Sequence, residues 1–549
     1  MSGSLGLFGG RDRPDVASAW KLYEESERFN SAIDLYDTVR VNENFYIGKQ
    51  WEGVRSNGLP TPQFSFLKRV VGFIVATITT DDVKVTATPL AATAGTEALV
   101  EPARIVNEEF EAITERNNIP SLLREYARNA AVDGDGCLYS WWDPDMETGQ
   151  EARGGIRTEV IENTRVRFGN PNDRQVQSQP WILITRQSMV REAKLRAREN
   201  GMADWDAIQP DGEEQSMDAV KRCGDKVTEL LLLWREEDSG EIWAFETTRY
   251  CALREPYSTG VRLYPLCWLN WDYVADCYHG QAMITGLIPN QIFVNKIWAA
   301  VMLANQRGAF PKVIYDKTRI KNWDNRVGAA IGVSGGDVST VARNMDGSSV
   351  SPQIPKILEL AVEMTEQSLG ATSVALGDTR PDNTSAIIAL QRAAATPSEM
   401  TKQNLYKSVE DLYRIYLEFM GSFYGRRLVD METPEQLRGV FDFAGREMPP
   451  EISMAFDFSL LRQHPMTLKL DVGASSYYSE IASMQTLDNL LTGGHITALQ
   501  YLERIPDGYI PARRALINEM KAAQANGAQG EAERAATQGR PYGPTETEL

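Results

Sequence analysis

The feature that most constrains the fold of this chain is a pair of helical patterns joined by a polar loop, within residues 352–425. Apolar residues recur at helical spacing from Pro355, where a first-turn proline is tolerated, to Gly370, where a helix commonly ends. A second helical pattern begins near Thr384, restarts or bends at the capping-box sequence 396–399, and continues through the rest of the region. Two long helices that flank a polar loop predict that the loop projects from a surface.

Three carboxylates share one face of the first of these helices. Glu359, Glu363 and Glu366 are spaced i, i+4 and i+7, so their side chains point to the same side. Such a row repels itself and does not stabilise an isolated helix. It is either a solvated helix face or a surface that keeps a polyanion from adhering. The apolar face predicted opposite this row consists of Ile357, Leu358, Ala361, Val362 and Leu369.

The charge balance limits the partners that the chain can hold. Its 549 residues include 57 basic and 75 acidic side chains, which give a formal net charge of −18. A broad grip on nucleic acid needs cations on phosphates, so we expect nucleic acid at most to slide past. The most basic stretch lies beside the central helices; it is either a soluble loop or, as its position favours, an interface or phosphate contact. Its cations are Arg307, Lys312, Lys317, Arg319 and Lys321.

The sequence shows no signal for secretion or for a membrane. Its five scattered cysteines include no C-x-x-C pair, which favours reduced thiols and assembly in a cytosol. The N-terminus lacks a basic region followed by a long apolar core, so no signal peptide is expected. The most apolar run, at 70–78, is about nine residues long, against the ~20 that a membrane-spanning helix needs.

The remaining patterns predict an α+β fold that is mainly helical. Short β-rich runs between Cys137 and Trp271, interrupted by a helix at 188–200, form an α+β block. Composition predicts that residues 527–549 are disordered. Further helices are expected at 17–46, 66–79, 99–117, 120–132, 278–306, 479–491, 495–504 and 511–526, and strands at 83–87, at 261–268 and within 426–475.

One short motif points to an enzyme. Gly332-Val333-Ser334-Gly335-Gly336 matches the G-x-S-x-G elbow of α/β-hydrolases. That chemistry also needs a later histidine, for which only His464 and His495 qualify, and a sharp strand-to-helix turn where this sequence is typical of a loop. A Ser334 hydrolase is therefore a minor alternative. No P-loop is encoded and the histidines lack ligand spacing, so we expect no catalytic residue, no metal site and no cofactor.

Several stretches, in a particular order, carry a family resemblance over roughly residues 20–526. They begin with NFYIGKQW at 44–51, the apolar helix from Phe66 and the strand that ends at Pro89, followed by a helix containing Asn290, Gln291 and Asn295. LGDTRPDNTSAIIALQ follows, and VGASSYYSEIASMQTLDNLLTGGHIT with YLERIPDGYIP closes the series. In the order and lengths of these pieces the chain resembles the portal proteins of tailed bacteriophages.

The resemblance implies a division of the chain into the parts of a portal fold. The tunnel loop would face DNA with Thr379, Arg380, Pro381, Asp382 and Asn383, and Arg380 would touch the DNA backbone without reading bases. The implied parts are an N-terminal arm and α+β wing at 1–277, a first stem helix at 278–306, a clip at 307–354, a second stem helix at 355–376, the tunnel loop at 377–384, a long bent helix with wing strands at 385–475, a helical crown at 476–526 and a disordered tail at 527–549.

The same resemblance implies a structural protein and not an enzyme. Portals form rings, usually dodecamers, at one capsid vertex of the virion, after assembly in the host cytoplasm. Double-stranded DNA passes through them non-specifically during packaging and ejection. Their expected partners are further copies of the chain, the terminase large subunit, a head-completion or tail adaptor protein, and the major capsid and scaffolding proteins, with no membrane partner. Another phage connector or tail protein is the alternative.

Overall fold

A computed structural model of the protein shows two compact units. The first consists of residues 1–79 and 84–471, and the second of residues 80–83 and 472–549. Helix accounts for 49% and strand for 22% of the described residues, so the prediction of an α+β fold rich in helix is confirmed. The described residues are 13–80, 83–89, 100–149, 152–211, 225–309, 313–324, 326, 329–344, 352–368, 399–432, 451–463, 466–472, 477–505 and 516–517.

The secondary-structure elements of these residues are numbered in chain order. The helices are α1 (Val16–Ala32), α2 (Leu35–Ile47), α3 (Phe66–Thr79), α4 (Val100–Arg116), α5 (Ile119–Asp133), α6 (Val190–Glu199), α7 (Met283–Ala309), α8 (Ile354–Ser368), α9 (Glu399–Phe419), α10 (Tyr477–Thr492) and α11 (Ala498–Arg504). The strands are β1 (Val83–Pro89), β2 (Asp135–Asp143), β3 (Gly155–Ile161), β4 (Val166–Phe168), β5 (Trp181–Met189), β6 (Lys226–Arg235), β7 (Ile242–Thr247), β8 (Ala252–Ser258), β9 (Leu266–Asn270), β10 (Val313–Tyr315), β11 (Ala342–Asn344), β12 (Arg426–Glu432), β13 (Glu451–Asp457) and β14 (Met466–Val472).

Two antiparallel sheets build the core of the first unit. One has the strand order β4-β5-β6-β7-β8 and the other the order β3-β2-β9. Their apolar side chains meet in one buried cluster, which includes Phe168 and Ile182 of the larger sheet and Cys137 and Leu266 of the smaller. The short β-rich runs seen in the sequence therefore form two sheets around a shared core.

The helix α1 covers one side of the larger sheet. Its Ala19 and Trp20 pack against Leu230 and Leu232 of β6. Because successive residues of a strand point to opposite faces, the next residue, Leu233, lies in the cluster shared with the smaller sheet. The run of leucines in β6 is thus buried on both faces, which explains why the sequence there does not alternate with polar residues.

The helix α9 packs beside the smaller sheet and is tied to its surroundings by buried tyrosines. The Tyr416 hydroxyl lies 2.7 Å from Oγ1 of Thr158 in β3. The Tyr126 hydroxyl of α5 lies 2.5 Å from Oγ of Ser408 in α9. The α-helix is shorter than the sequence pattern predicts, because its last turn, Met420–Tyr424, is a π-helix that leads into β12.

Two expectations for the N-terminal and middle parts of the chain are wrong in detail. The helix predicted at 17–46 is two helices, broken at Asp34, whose φ of 53° lies in the left-handed region. The strand predicted at 261–268 begins only at Leu266, because Val261 is buried but does not belong to a strand. Strand β8, which precedes it, was not predicted. In both places the apolar pattern reflects burial and not one continuous element.

The two central helices also have different ends from those expected. The first was predicted at 278–306, but α7 runs from Met283 to Ala309, with Pro289 in its interior. The second was predicted at 355–376, and α8 is described from Ile354 to Ser368. The rest of that range lies outside the described residues, as do the helix start near 384, most of 511–526, and the tail at 527–549.

A buried carboxyl group joins the two-sheet core to the chain that enters α7. Asp135, at the start of β2, is fully buried and accepts hydrogen bonds of 2.7 Å from Nδ2 of Asn270 and from the backbone N–H of Gly280. Its other oxygen lies 2.7 Å from Nδ1 of His279 and 3.4 Å from Nδ2 of Asn163. One side chain therefore fixes the segment between β9 and α7.

A second acidic residue nearby makes the stability of the fold depend on pH. Burial, together with the neighbouring Glu43, raises the pKa of Asp133 from 3.8 to about 8. The folded state therefore holds this proton over a pH range in which the unfolded chain has released it. Between pH 4 and pH 8 the folded state binds more protons, so this group lowers stability progressively as the pH rises.

We expect Asp133→Asn to remove this pH dependence, because the amide does not titrate and can still donate to Glu43. Thermal unfolding should show a higher midpoint for the variant than for the wild type at pH 8, with a smaller difference at pH 5. Equal differences in midpoint at the two pH values would contradict the raised pKa of Asp133. Glu237→Gln, at an exposed position, is the matched control and should change the unfolding midpoint at neither pH.

Candidate functional site

The candidate site is formed by the paired helices α7 and α8, and the first half of α7 is fixed inside the protein by amide side chains. Gln291 and Asn295 are both buried, and Nε2 of Gln291 donates to Oδ1 of Asn295 over 2.9 Å. Nε2 of Gln291 also donates to the carbonyl oxygen of Phe64, and Nδ2 of Asn295 donates to Oε1 of Gln50 over 2.7 Å. These bonds orient α7 against the segment before α3.

Despite these bonds, α7 leaves part of its apolar surface uncovered in both halves. In the described part of the chain, α7 is the one helix long and apolar enough to cross a membrane, judged by length and composition alone, and 28% of its apolar stretch is buried. The shorter apolar run at 70–78, which is too short to span a membrane, lies in α3. Core helices of soluble proteins meet the same criterion. A helix that is apolar all round normally has partners on every side, and here Phe293 and Met302 are exposed.

The helix α8 packs along α7 through one narrow face. Leu358 and Thr365 are its buried residues, and Nδ2 of Asn290 in α7 donates to Oγ1 of Thr365 over 3.0 Å. The expected apolar face is therefore partly wrong. Ile357 was assigned to it, yet this side chain is 44% exposed.

The three carboxylates of α8 border a groove between the two helices. Glu359, Glu363 and Glu366 line a cavity of about 700 Å³. Glu359 and Glu363 are exposed, and the row forms the acidic rim of an apolar depression. The apolar walls are Val294, Trp298 and Val301 of α7, with Ile354, Pro355, Leu358 and Val362 of α8.

A second apolar surface of α8 was missed by the sequence analysis. Ile357, Leu360 and Met364 are 44%, 49% and 61% exposed, and their i, i+3, i+7 spacing puts them on one side of the helix. We call these three residues the α8 ridge. The sequence does carry a signal for this surface, since α8 has more apolar positions than one helix face can hold.

The cations of the basic patch are spread over the last turn of α7 and the segment that follows it. Arg307, Lys317 and Lys321 are exposed and have no ion-pair partner among the residues that the structure describes, whereas Lys312 lies outside those residues. Arg319 has a structural role, because its guanidinium donates to the carbonyl oxygen of Gly335. Three cations therefore remain available to an external partner.

The acidic residue within this patch is held by a turn. Hydrogen bonds from the side chain and backbone of Thr318 lower the pKa of Asp316. Asp316 also accepts a backbone hydrogen bond, through its carbonyl oxygen, from Ile320. The turn keeps a negative charge beside the exposed lysines, which makes the patch less basic than its count of cations suggests.

The prediction that a tunnel loop contacts DNA falls on residues outside those that the structure describes. Thr379, Arg380, Pro381, Asp382 and Asn383 lie outside the described residues. Their assignment stays a prediction.

The serine motif does not adopt the elbow of a hydrolase. The backbone N–H of Ser334 donates to the carbonyl oxygen of Arg319, and the chain around it is a loop that is preceded by no strand over 329–333. Within the described residues no histidine hydrogen-bonds to Ser334, and His279 is instead buried beside Asp135. The described part of the chain also contains no group of three His, Cys, Asp or Glu side chains that could hold a metal ion.

No protein-family model matches this chain, and no curated protein sequence matches it.

Proposed function

We propose that this chain is the portal protein of a tailed bacteriophage, a ring-forming structural protein through which double-stranded DNA enters and leaves the capsid. The observation that carries the proposal is the α7–α8 pair. Both helices expose apolar surface that is unfavourable to leave in water, and further copies of the chain arranged around an axis would cover it. Repetition by symmetry makes even modest contacts strong in total.

The order of the elements supports the same proposal. A two-sheet α+β block is followed by α7, by a segment with the short pair β10–β11, by α8 and α9, and then by further strands. This order agrees with the wing, first stem helix, clip, second stem helix and returning wing of the family that the sequence resembles. In this proposal the helices α10 and α11 would form part of the crown.

The acidic rim suits a channel that DNA must pass without stopping. DNA carries about one negative charge per 1.7 Å of helix axis, so a cationic surface would bind it tightly. In our proposal, Glu359, Glu363 and Glu366 form the channel-side rim of the groove and repel phosphates at every subunit. DNA would then move under the force of a separate ATPase, with no step catalysed by this chain.

The exposed cations at the end of α7 and in the segment after it suit the opposite task, which is to hold an acidic protein surface. Arg307, Lys317 and Lys321 lie in the proposed clip. We assign this patch to the docking of the terminase large subunit and, later, of the head-completion or tail adaptor protein. The major capsid and scaffolding proteins would contact the wing, at the portal vertex of the virion.

The mass of the purified protein in solution tests the proposal. We expect particles of several hundred kilodaltons, many times the 61.3 kDa of one chain, in mass photometry at nanomolar concentration. A small species with esterase activity that Ser334→Ala abolishes would instead favour the hydrolase. A large assembly without a central pore would favour another phage connector or tail protein.

A further inference from the structure

We propose that the α8 ridge of one copy docks into the acid-rimmed groove between α7 and α8 of the next copy. This inference rests on the proposed ring and identifies the surfaces that close it. The occupant of the groove is a second copy of this chain, in parallel orientation, and its contact residues are Ile357, Leu360 and Met364.

A closed ring needs two different surfaces on each subunit. Head-to-tail contacts join one patch to another, unlike the self-complementary contacts of a two-fold dimer. At about 100° per residue, the ridge and the carboxylate row of α8 lie roughly a third of a turn apart, on either side of the face that packs on α7. One helix therefore presents a projecting surface to one neighbour and borders a receiving surface for the other.

The spacing of the two surfaces is complementary. The ridge residues recur at i, i+3 and i+7, which is the pattern of knobs in coiled-coil packing. The α7 wall of the groove, Val294, Trp298 and Val301, recurs at i, i+4 and i+7. A ridge of one helix that enters the groove between two others is the ordinary geometry of helix packing, and the cavity of about 700 Å³ gives it space.

The charges beside the two surfaces also match. Lys356 lies one turn before Leu360, between the ridge and the carboxylate row, Glu359 lies on the groove rim, and neither has an ion-pair partner among the described residues. In a parallel arrangement around an axis the two lie at similar heights, because three residues of helix span only about 4.5 Å. Docking would bring the Lys356 of one copy towards the Glu359 of the next.

A second copy fits this surface better than a lipid bilayer does. Three carboxylates border the groove, and charged side chains at the centre of a bilayer are strongly unfavourable. The first half of α7 is also held inside the protein through Gln291 and Asn295. Flotation of the protein with lipid vesicles tests the alternative that a bilayer covers this surface.

Disulfide cross-linking tests the contact directly. Leu360→Cys combined with Val362→Cys puts one thiol on the ridge and one on the groove wall, so oxidation of the assembled protein should give a ladder of covalent oligomers on a non-reducing gel. Each single variant should give no ladder. A matched pair, Met400→Cys with Val362→Cys, moves the first thiol to an exposed position on α9 and should also give none.

A second pair of variants measures the strength of the contact. Leu360→Asp with Met364→Asp should lower the fraction of protein in rings at least about tenfold, since burial of even one large apolar side chain changes an association constant by that factor. Circular dichroism should be unchanged, because both side chains are exposed within one copy. Met400→Asp, the most exposed large apolar side chain in the described residues, is the control and should leave rings intact.

The outcomes separate this inference from the proposed function. Rings without a cross-linking ladder, or rings that survive the double aspartate variant, would overturn the ridge-and-groove contact and leave the portal proposal standing. A wild-type protein that stays a monomer would overturn both. The wild-type protein could instead float with neutral phosphatidylcholine vesicles while the double aspartate variant does not. That result would show that lipid covers the ridge, and it would also overturn the contact.

Discussion

Conversion of Glu359, Glu363 and Glu366 to lysine is expected to slow or block DNA packaging while rings still form. Each substitution replaces a charge that repels phosphate with one that attracts it, and the ring repeats the change in every subunit. Bound counterions are released wherever a lysine pairs with a phosphate, so the added attraction should weaken steeply with salt. Packaging by the variant should therefore recover partly as the ionic strength rises, which an in vitro packaging assay measures.

Rings of this variant should persist because the apolar ridge supplies most of the proposed contact. An exposed ion pair such as Lys356 with Glu359 contributes only about 0–1 kcal/mol. The matched control reverses three exposed carboxylates of the α+β block, Glu192, Glu199 and Glu237, and so changes the net charge equally. If the lysine variant leaves packaging unaltered, or if both triple variants reduce it equally, the acidic rim does not line the path of the DNA.

The second large effect is expected from Asp135→Ala, which should destabilise the first unit by about 3–5 kcal/mol. The substitution takes the acceptor away from the buried His279 and from the partly buried donors of Asn270 and Gly280. Urea denaturation followed by tryptophan fluorescence measures the loss, and limited proteolysis should show earlier cleavage between β9 and α7. The control Asp135→Asn keeps one oxygen acceptor and should lose less. A loss below about 1 kcal/mol for the alanine variant would contradict the role given to this carboxyl group.

Elements with a clear period and clear ends could be predicted from the sequence. The helix α3, Phe66–Thr79, and the strand β7, Ile242–Thr247, have the predicted bounds. In α3 a dense apolar pattern begins after a turn-rich stretch, and in β7 the apolar run is short and flanked by polar residues. Where both the period and the flanking residues are distinct, local sequence is sufficient.

Breaks that depend on tertiary packing could not be predicted in this way. The chain turns at Asp34 without a glycine or a proline, because α1 packs on the larger sheet while α2 packs among helices. Pro289 lies within α7 although proline usually ends or bends a helix. Neither feature leaves a local signal that distinguishes it from the alternatives.

The candidate site was predictable in part. The spacing of Glu359, Glu363 and Glu366 was sufficient to place them on one side of a helix. Their position beside an apolar groove depends on α7, which is distant in sequence and apolar around most of its circumference. The ridge of Ile357, Leu360 and Met364 stayed hidden because a helix with two apolar surfaces looks, in sequence, like a helix with one broad surface.

The most direct test of the central claim is electron cryomicroscopy of the purified full-length protein, without prior cross-linking. The account predicts rings with an axial channel, lined by α8 from every subunit, in which the carboxylates of Glu359, Glu363 and Glu366 border the open space. Monomers, or assemblies with no axial channel, in both the isolated protein and particles recovered from virions would contradict it.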